Sequence, residues 1–221
     1  LWENIRPFVA WKIGVELNRR ASEKDVVICN GYFSWNARRS RSFVVYHGTE
    51  MGRAVSTVAS SNPLRNLAVR AINARLDKRA GEGRKIVAVS EATKNEIEKY
   101  YGLRVDDVIP NAVDLSVYMP SMDKDGLKNR LNLPKNKFVI LYAGPNDPRK
   151  GVKFVLDEIR PRLRESQHLV ITIDLSSAPK NITALGRVDF ERIIQYYQAC
   201  DALIMPSSYE GCSFLLAEAL A

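Results

Sequence analysis

The sequence predicts an α/β protein organised as two units, each a parallel sheet covered by helices. Three observations carry this expectation. Apolar runs such as Ile86-Val87-Ala88-Val89 are continuous instead of alternating, the pattern of strands buried on both faces. Amphipathic segments of helix length separate the runs, as β-α-β units require. The rhythm lapses once, over residues 115–137, where Pro120, Asp123, Asp125, Gly126 and Pro134 accumulate. With 46% hydrophobic and 26% charged residues, the composition excludes a disordered or collagen-like chain. The 221 residues amount to about 1.5 average domains.

Residues 5–21 read as a helix, followed by a buried strand over 25–30 and a second over 42–47. A helix over 64–80 starts behind the breaker Asn62-Pro63, and residues 86–89 form the third strand. Ser90 offers an N-cap to a helix that stops at Tyr101-Gly102, and Val108-Ile109 closes the first unit, residues 1–114. Residues 115–137 are expected to be an interdomain linker with one short helix. The second unit, 138–221, reads as strand 138–142, helix 151–165, strands 169–174 and 182–185, helix 189–199 and strand 202–205. A last helix opens at 212–214.

No run approaches ~18 apolar residues, so no spanning helix is expected. Leu1-Trp2-Glu3-Asn4 lacks the basic and apolar regions of a signal peptide. The first residue is not Met, and the last lies within a helical pattern, so the chain is expected to be a fragment. Cys29, Cys200 and Cys212 are odd in number and widely spaced, without a C-x-x-C pair, which argues against a disulfide framework or a zinc site. A reducing cytosol follows as the expected compartment, and Cys29, inside an apolar run, as a core residue.

The formal charge of +8 is uneven: residues 1–120 hold 19 Lys/Arg against 13 Asp/Glu. Residues 53–85 alone carry eight basic side chains against Asp77 and Glu82. Such a cluster suits a membrane surface, a nucleic acid or a phosphorylated substrate, and equally a solubilising face. Leu64, Leu67, Ala68, Ala71 and Ile72 form an apolar stripe within it, but Arg75 and Arg79 fall on the same stripe. No RNA-binding aromatic motif or zinc finger accompanies the charge, which argues against nucleic acid.

In open parallel sheets, ligands bind beyond the carboxyl ends of the strands. After strand 138–142, Arg149, Lys150 and Gly151 place two cations beside a helix start, a combination suited to a diphosphate. After strand 202–205, Gly211 permits close backbone approach, and Cys212, Ser213 and Phe214 open a helix. Glu210 precedes that helix. Glu218 lies on it among Leu and Ala and, if buried, needs a partner.

The segment Tyr209-Glu210-Gly211-Cys212-Ser213-Phe214-Leu215-Leu216-Ala217-Glu218 resembles the E-x7-E signature of retaining, GT-B-fold family 4 glycosyltransferases. Pro206-Ser207-Ser208 precedes it as in that family, and Ala143-Gly144 with Arg149-Lys150-Gly151 resembles the phosphate-binding loop. Val89-Ser90-Glu91-Ala92-Thr93-Lys94 and Ile109-Pro110-Asn111-Ala112-Val113-Asp114 are similar to the closing segments of the family's N-terminal domain. Val45-Tyr46-His47-Gly48 adds a weaker match.

The resemblance implies two Rossmann-like domains, an acceptor-side one and a donor-side one, and transfer of a sugar from a nucleotide sugar to a glycan, lipid or small molecule. It implies that Glu218 holds the ribose and Glu210 the donor sugar. Arg149 and Lys150 would neutralise the leaving diphosphate, assisted by the N–H groups of Cys212, Ser213 and Phe214. His47 would face the sugar from the other domain, and no metal would be needed. Some family members dock on membranes through a basic helix, which implies a cytoplasmic protein, peripheral at the membrane through the 53–85 region. Ala112 stands where the family usually has Gly, and Cys212 where Gly or an aromatic residue is common. The family's opening strand and Gly-rich loop have no counterpart here, nor do its segments beyond the E-x7-E helix. A GT-B phosphorylase, a nucleotide-sugar epimerase and a non-catalytic nucleotide-sugar or anion-binding module are the alternatives.

Overall fold

The computed structural model describes residues 2–37, 41–56, 63–175, 177 and 179–221. Two compact units emerge: Leu1–Asn111 with Tyr209–Cys212, and Ala112–Ser208 with Ser213–Ala221.

The first unit runs α1 (Trp2–Arg20), β1 (Val27–Asn30), a 3-10 turn, β2 (Ser42–Tyr46), α2 (Glu50–Ser56), α3 (Pro63–Gly81), β3 (Lys85–Ala88), α4 (Glu91–Tyr101) and β4 (Asp107–Val108). Its four strands are all parallel, in the order β1-β2-β3-β4. Cys29, Val44 and Ile86 lie in register across three strands and are all buried. They pack with Tyr46, Ile97 and Tyr101 into one core. The expectation of strands buried on both faces fails for β1: it is an edge strand, and Ile28 is 73% exposed. Local signals set α4 at both ends. Ser90 Oγ accepts from the Thr93 N–H at 3.1 Å, and Gly102 closes the helix at φ +65°.

α2, a helix the sequence reading left out, follows β2 directly. Its first amide, Glu50 N–H, donates to the buried carboxylate of Asp77 at 3.1 Å. On α3 the buried face is Asn73, Ala74, Asp77 and Ala80, while Ala71, Ile72, Arg75, Lys78 and Arg79 point to solvent. This corrects the expected stripe, since Ala71 and Ile72 lie on the basic, exposed side; Asn62 and the side chains of Leu64, Arg65, Leu67 and Ala68 lie outside the described residues. Among the described residues, no helix is long and apolar enough to cross a membrane.

The second unit runs α5 (Lys124–Arg130), β5 (Phe138–Tyr142), a 3-10 turn (Pro148–Lys150), α6 (Val152–Phe154), β6 (Gln167–Ile171), β7 (Ile182–Ala184), α7 (Phe190–Ala199), β8 (Ala202–Leu203) and α8 (Phe214–Leu220). Its sheet is again parallel, in the order β7-β6-β5-β8. The helix expected over 151–165 is irregular: α6 passes into a π-turn at Val155–Ile159 and a 3-10 turn at Arg160–Arg162. Pro161 lacks an N–H and its ring clashes with regular α geometry, which accounts for the change of winding.

Residues 115–137, read from sequence as a linker, belong to this unit. Leu127, Leu131 and Leu133 pack into the core with Val139, Val170 and Tyr196. Lys128, only 5% exposed, pairs with Asp201 Oδ2 at 3.0 Å, and Lys124 pairs with Asp201 Oδ1 at 2.7 Å. Asp201 also accepts from the Val139 N–H at 2.7 Å, so one carboxylate ties α5 to the start of β5. The charges that mimic a linker in sequence are thus neutralised within the fold.

Candidate active site

From β5 the chain of the second unit goes to β6 and β7 on one side, then returns to β8 on the other. The reversal opens a crevice at the carboxyl ends of β5 and β8, the place where such sheets bind ligands. The loops leaving these two strands meet there. Arg149 C=O accepts from the Ser208 N–H at 2.8 Å. A Cβ on Gly151, whose φ is +73°, would collide with the Pro206 carbonyl, so this close approach requires glycine.

Arg149 and Lys150 occupy the 3-10 turn, and Asp147 sets their geometry. Its Oδ1 accepts from the Arg149 backbone N–H at 2.8 Å and from Nε at 3.2 Å, while Oδ2 pairs with the guanidinium at 2.5 Å. The guanidinium holds the Asp147 carboxyl below the usual carboxylate range. Beside this turn lies a cavity of about 600 Å³, walled by the loops after β5, β6 and β7. Its lining joins Gly144, Thr172 and Arg187 to Val188, Phe190 and Leu215. A few polar groups among apolar walls at this volume match a small-molecule site.

Ser213 caps α8, its Oγ accepting from the Leu216 N–H at 3.3 Å, and Phe214 is the first helical residue. Glu218 finds the partner that its apolar neighbours demanded. Tyr197 donates to Oε2 at 2.9 Å, and the Tyr118 phenol feels the same carboxylate. Burial, then Glu218, pushes the Tyr118 phenol up to about 12 and Tyr197 upward as well. Both phenols therefore stay protonated. The rings connect to the cavity, because Tyr197 lines it and Tyr118 packs edge-on against Phe190 with centroids 6.3 Å apart.

The other predicted residues meet in the first unit. A Cβ at Gly211 would strike the His47 carbonyl, so the loop carrying Glu210 and Gly211 lies backbone-to-backbone on the segment after β2. Asn111 Nδ2 donates to the Cys212 carbonyl at 2.8 Å, holding the end of that loop. Sequence reasoning missed Asp147, Tyr118 and Tyr197, as well as the Gly186-Arg187-Val188 wall. Asp147 was legible as an acid two residues before an Arg; the tyrosines carry no signal until the fold brings them to Glu218. Among the described residues, no three His, Cys, Asp or Glu side chains group as metal ligands.

The fold is shared with solved glycosyltransferases. Sucrose-phosphate synthase from Thermosynechococcus elongatus superposes with a TM-score of 0.76 at 18% identity, over 99% of this chain and 58% of that one. The Anabaena protein HepE, in complex with UDP-glucose, gives 0.61 at 20% identity, over 85% and 52%. The architecture is therefore that of the GT-B class, two parallel-sheet α/β units. In sequence, residues 4–117 match the family model Glycosyltransferase Family 4, and residues 137–221 match Glycosyl transferases group 1. The chain belongs to glycosyltransferase family 4. A D-inositol 3-phosphate glycosyltransferase from Xylanimonas cellulosilytica is 30% identical over 166 residues, covering 62% of this chain and 40% of that protein. The chain spans about two fifths of the length of such curated relatives.

Proposed function

We propose that the protein transfers a sugar, with retention of anomeric configuration, from a nucleoside diphosphate sugar to an acceptor hydroxyl. The observation that carries this is the 600 Å³ cavity at the carboxyl ends of β5, β6 and β7, with Arg149 and Lys150 on the adjoining turn. The nucleoside enters the cavity, and the diphosphate lies toward the two cations. As the bond between the anomeric carbon and the phosphate oxygen breaks, negative charge grows on the leaving diphosphate. Two fixed cations then stabilise the transition state more than the ground state. This reading assigns that role to Arg149 and Lys150 without calling on a metal. Glu218 holds the ribose, and Glu210 orients the donor sugar beside His47. The HepE complex with UDP-glucose makes UDP-sugars the first donors to try.

Product analysis tests the proposal. Incubation with UDP-, GDP- and ADP-sugars and a set of hydroxyl acceptors, read by mass spectrometry, should give nucleoside diphosphate and a glycosylated acceptor. Sugar 1-phosphate formed with inorganic phosphate would establish a phosphorylase instead. An epimerised free sugar would establish an epimerase, and binding without turnover a non-catalytic module.

A further inference from the structure

In the first unit, hydrogen bonds from two side chains bracket Glu210-Gly211. The hydroxyl of Tyr209 accepts from the Thr49 N–H at 2.7 Å and donates to Glu96 Oε2 at 2.6 Å. Thr49 Oγ1 donates to the same carboxylate oxygen at 2.7 Å and accepts from the Gly52 N–H at 2.8 Å. Beyond Gly211, the Asn111 amide holds the Cys212 carbonyl at 2.8 Å. Between these anchors the backbones touch, and the steric demand falls on two glycines. A Cβ at Gly211 would collide with the His47 carbonyl, and one at Gly48 would lie 2.9 Å from the Tyr209 hydroxyl. Gly48 also sits at φ +137°, a conformation that side-chain-bearing residues rarely adopt.

The hydrogen-bond directions make Tyr209 a node. A phenol can accept one bond while donating another, which is what a backbone N–H on one side and a carboxylate on the other demand. Burial, then the hydrogen bond to Glu96, pushes this phenol upward, so it keeps the proton it donates. Phenylalanine would preserve the ring and lose both bonds. The Thr49 amide would then stand without its acceptor, and Glu96 would lose one of its donors.

We infer that Tyr209 and Glu96 are positioning residues, which through Thr49 fix the spacing between His47-Gly48 and Glu210-Gly211. What the positioned pair does rests on the transfer reading proposed above; how it is held rests on the first unit alone. Neither residue is assigned a contact with substrate. Their effect is on the geometry of two groups that are, where a small displacement is costly in rate.

Hydrogen exchange and steady-state kinetics on Tyr209→Phe and Glu96→Ala test the inference. In both variants the Thr49 amide should exchange about tenfold faster or more. With the nucleotide sugar that the wild-type protein turns over, kcat should fall by about 10- to 100-fold while the donor KM stays within about twofold. That split separates positioning from a general loss of packing. Wild-type exchange at Thr49 together with wild-type kcat would overturn the inference. If the wild-type protein turns over none of the nucleotide sugars, the transfer reading fails separately. The exchange result alone then decides whether Tyr209 and Glu96 hold the loop.

Discussion

Arg149→Ala and Lys150→Ala should each lower kcat for nucleoside diphosphate release by about 10²- to 10³-fold, equivalent to about 2.7–4 kcal/mol of transition-state stabilisation. The expectation follows from where the charges sit. Both cations lie on a turn pinned at one end by Asp147 and at the other by Gly151 against Pro206, so their placement is set before substrate arrives. Charges fixed in advance need no reorganisation as the leaving group develops its own. Arg149→Lys should recover only part of the loss, because a lysine cannot engage Asp147 through a planar fork. Affinity for the nucleoside lacking phosphates should not change, since the 600 Å³ cavity keeps its lining in both variants. Wild-type kcat in both variants would remove these cations from the reaction.

Asp77 should make the first unit less stable as pH rises from about 4 to 7. Its carboxyl is buried between α3, α2 and α4, and burial pushes it up to about 7. Tyr101 Oη–H donates to Oδ2 at 2.7 Å and the Glu50 N–H at 3.1 Å, but no formal positive charge touches it among these bonds. Unfolded, the same carboxyl releases its proton near pH 4. Through that window the folded state binds more protons than the unfolded state, so stability declines by up to about 1.4 kcal/mol per pH unit. Above pH 7 the carboxylate is ionised in both states and the slope disappears. Asp77→Asn should abolish the slope and be the more stable variant at pH 8. The three tryptophans, Trp2, Trp11 and Trp35, all belong to the first unit, so urea unfolding followed by tryptophan fluorescence reports that unit alone. Equal slopes in wild type and Asp77→Asn would contradict this assignment.

Most of the fold was legible because local physics and tertiary context agree. Continuous Val and Ile runs became strands, and Ser90 and Gly102 capped α4 as their chemistry dictates. Two of the failures share a cause: each needed a contact distant in sequence. Residues 115–137 look like a linker because Lys128 and its charged neighbours give no hint of Asp201, some 73 residues on. The apolar stripe on α3 misled because the face that packs carries Asn73 and Asp77, and Asp77 is held there by tyrosines of β2 and α4. At the site, Arg149, Lys150, Glu210 and Glu218 stood out as charges among glycine and apolar neighbours. Their supports, Asp147, Tyr118, Tyr197 and Glu96, are ordinary residues that acquire a role through the fold.

Glu218 offers the most direct test of the donor site. A carboxylate accepts about four hydrogen bonds, so the bond from the Tyr197 hydroxyl leaves capacity for vicinal ribose hydroxyls. Isothermal titration of UDP, GDP and ADP into the wild-type protein should identify one that binds. Against that nucleotide, Glu218→Ala should lose about 10- to 100-fold in affinity, the worth of one or two hydrogen bonds to a charged group. Equal affinity in wild type and Glu218→Ala would contradict the ribose role, and with it the placement of the nucleotide in the second unit.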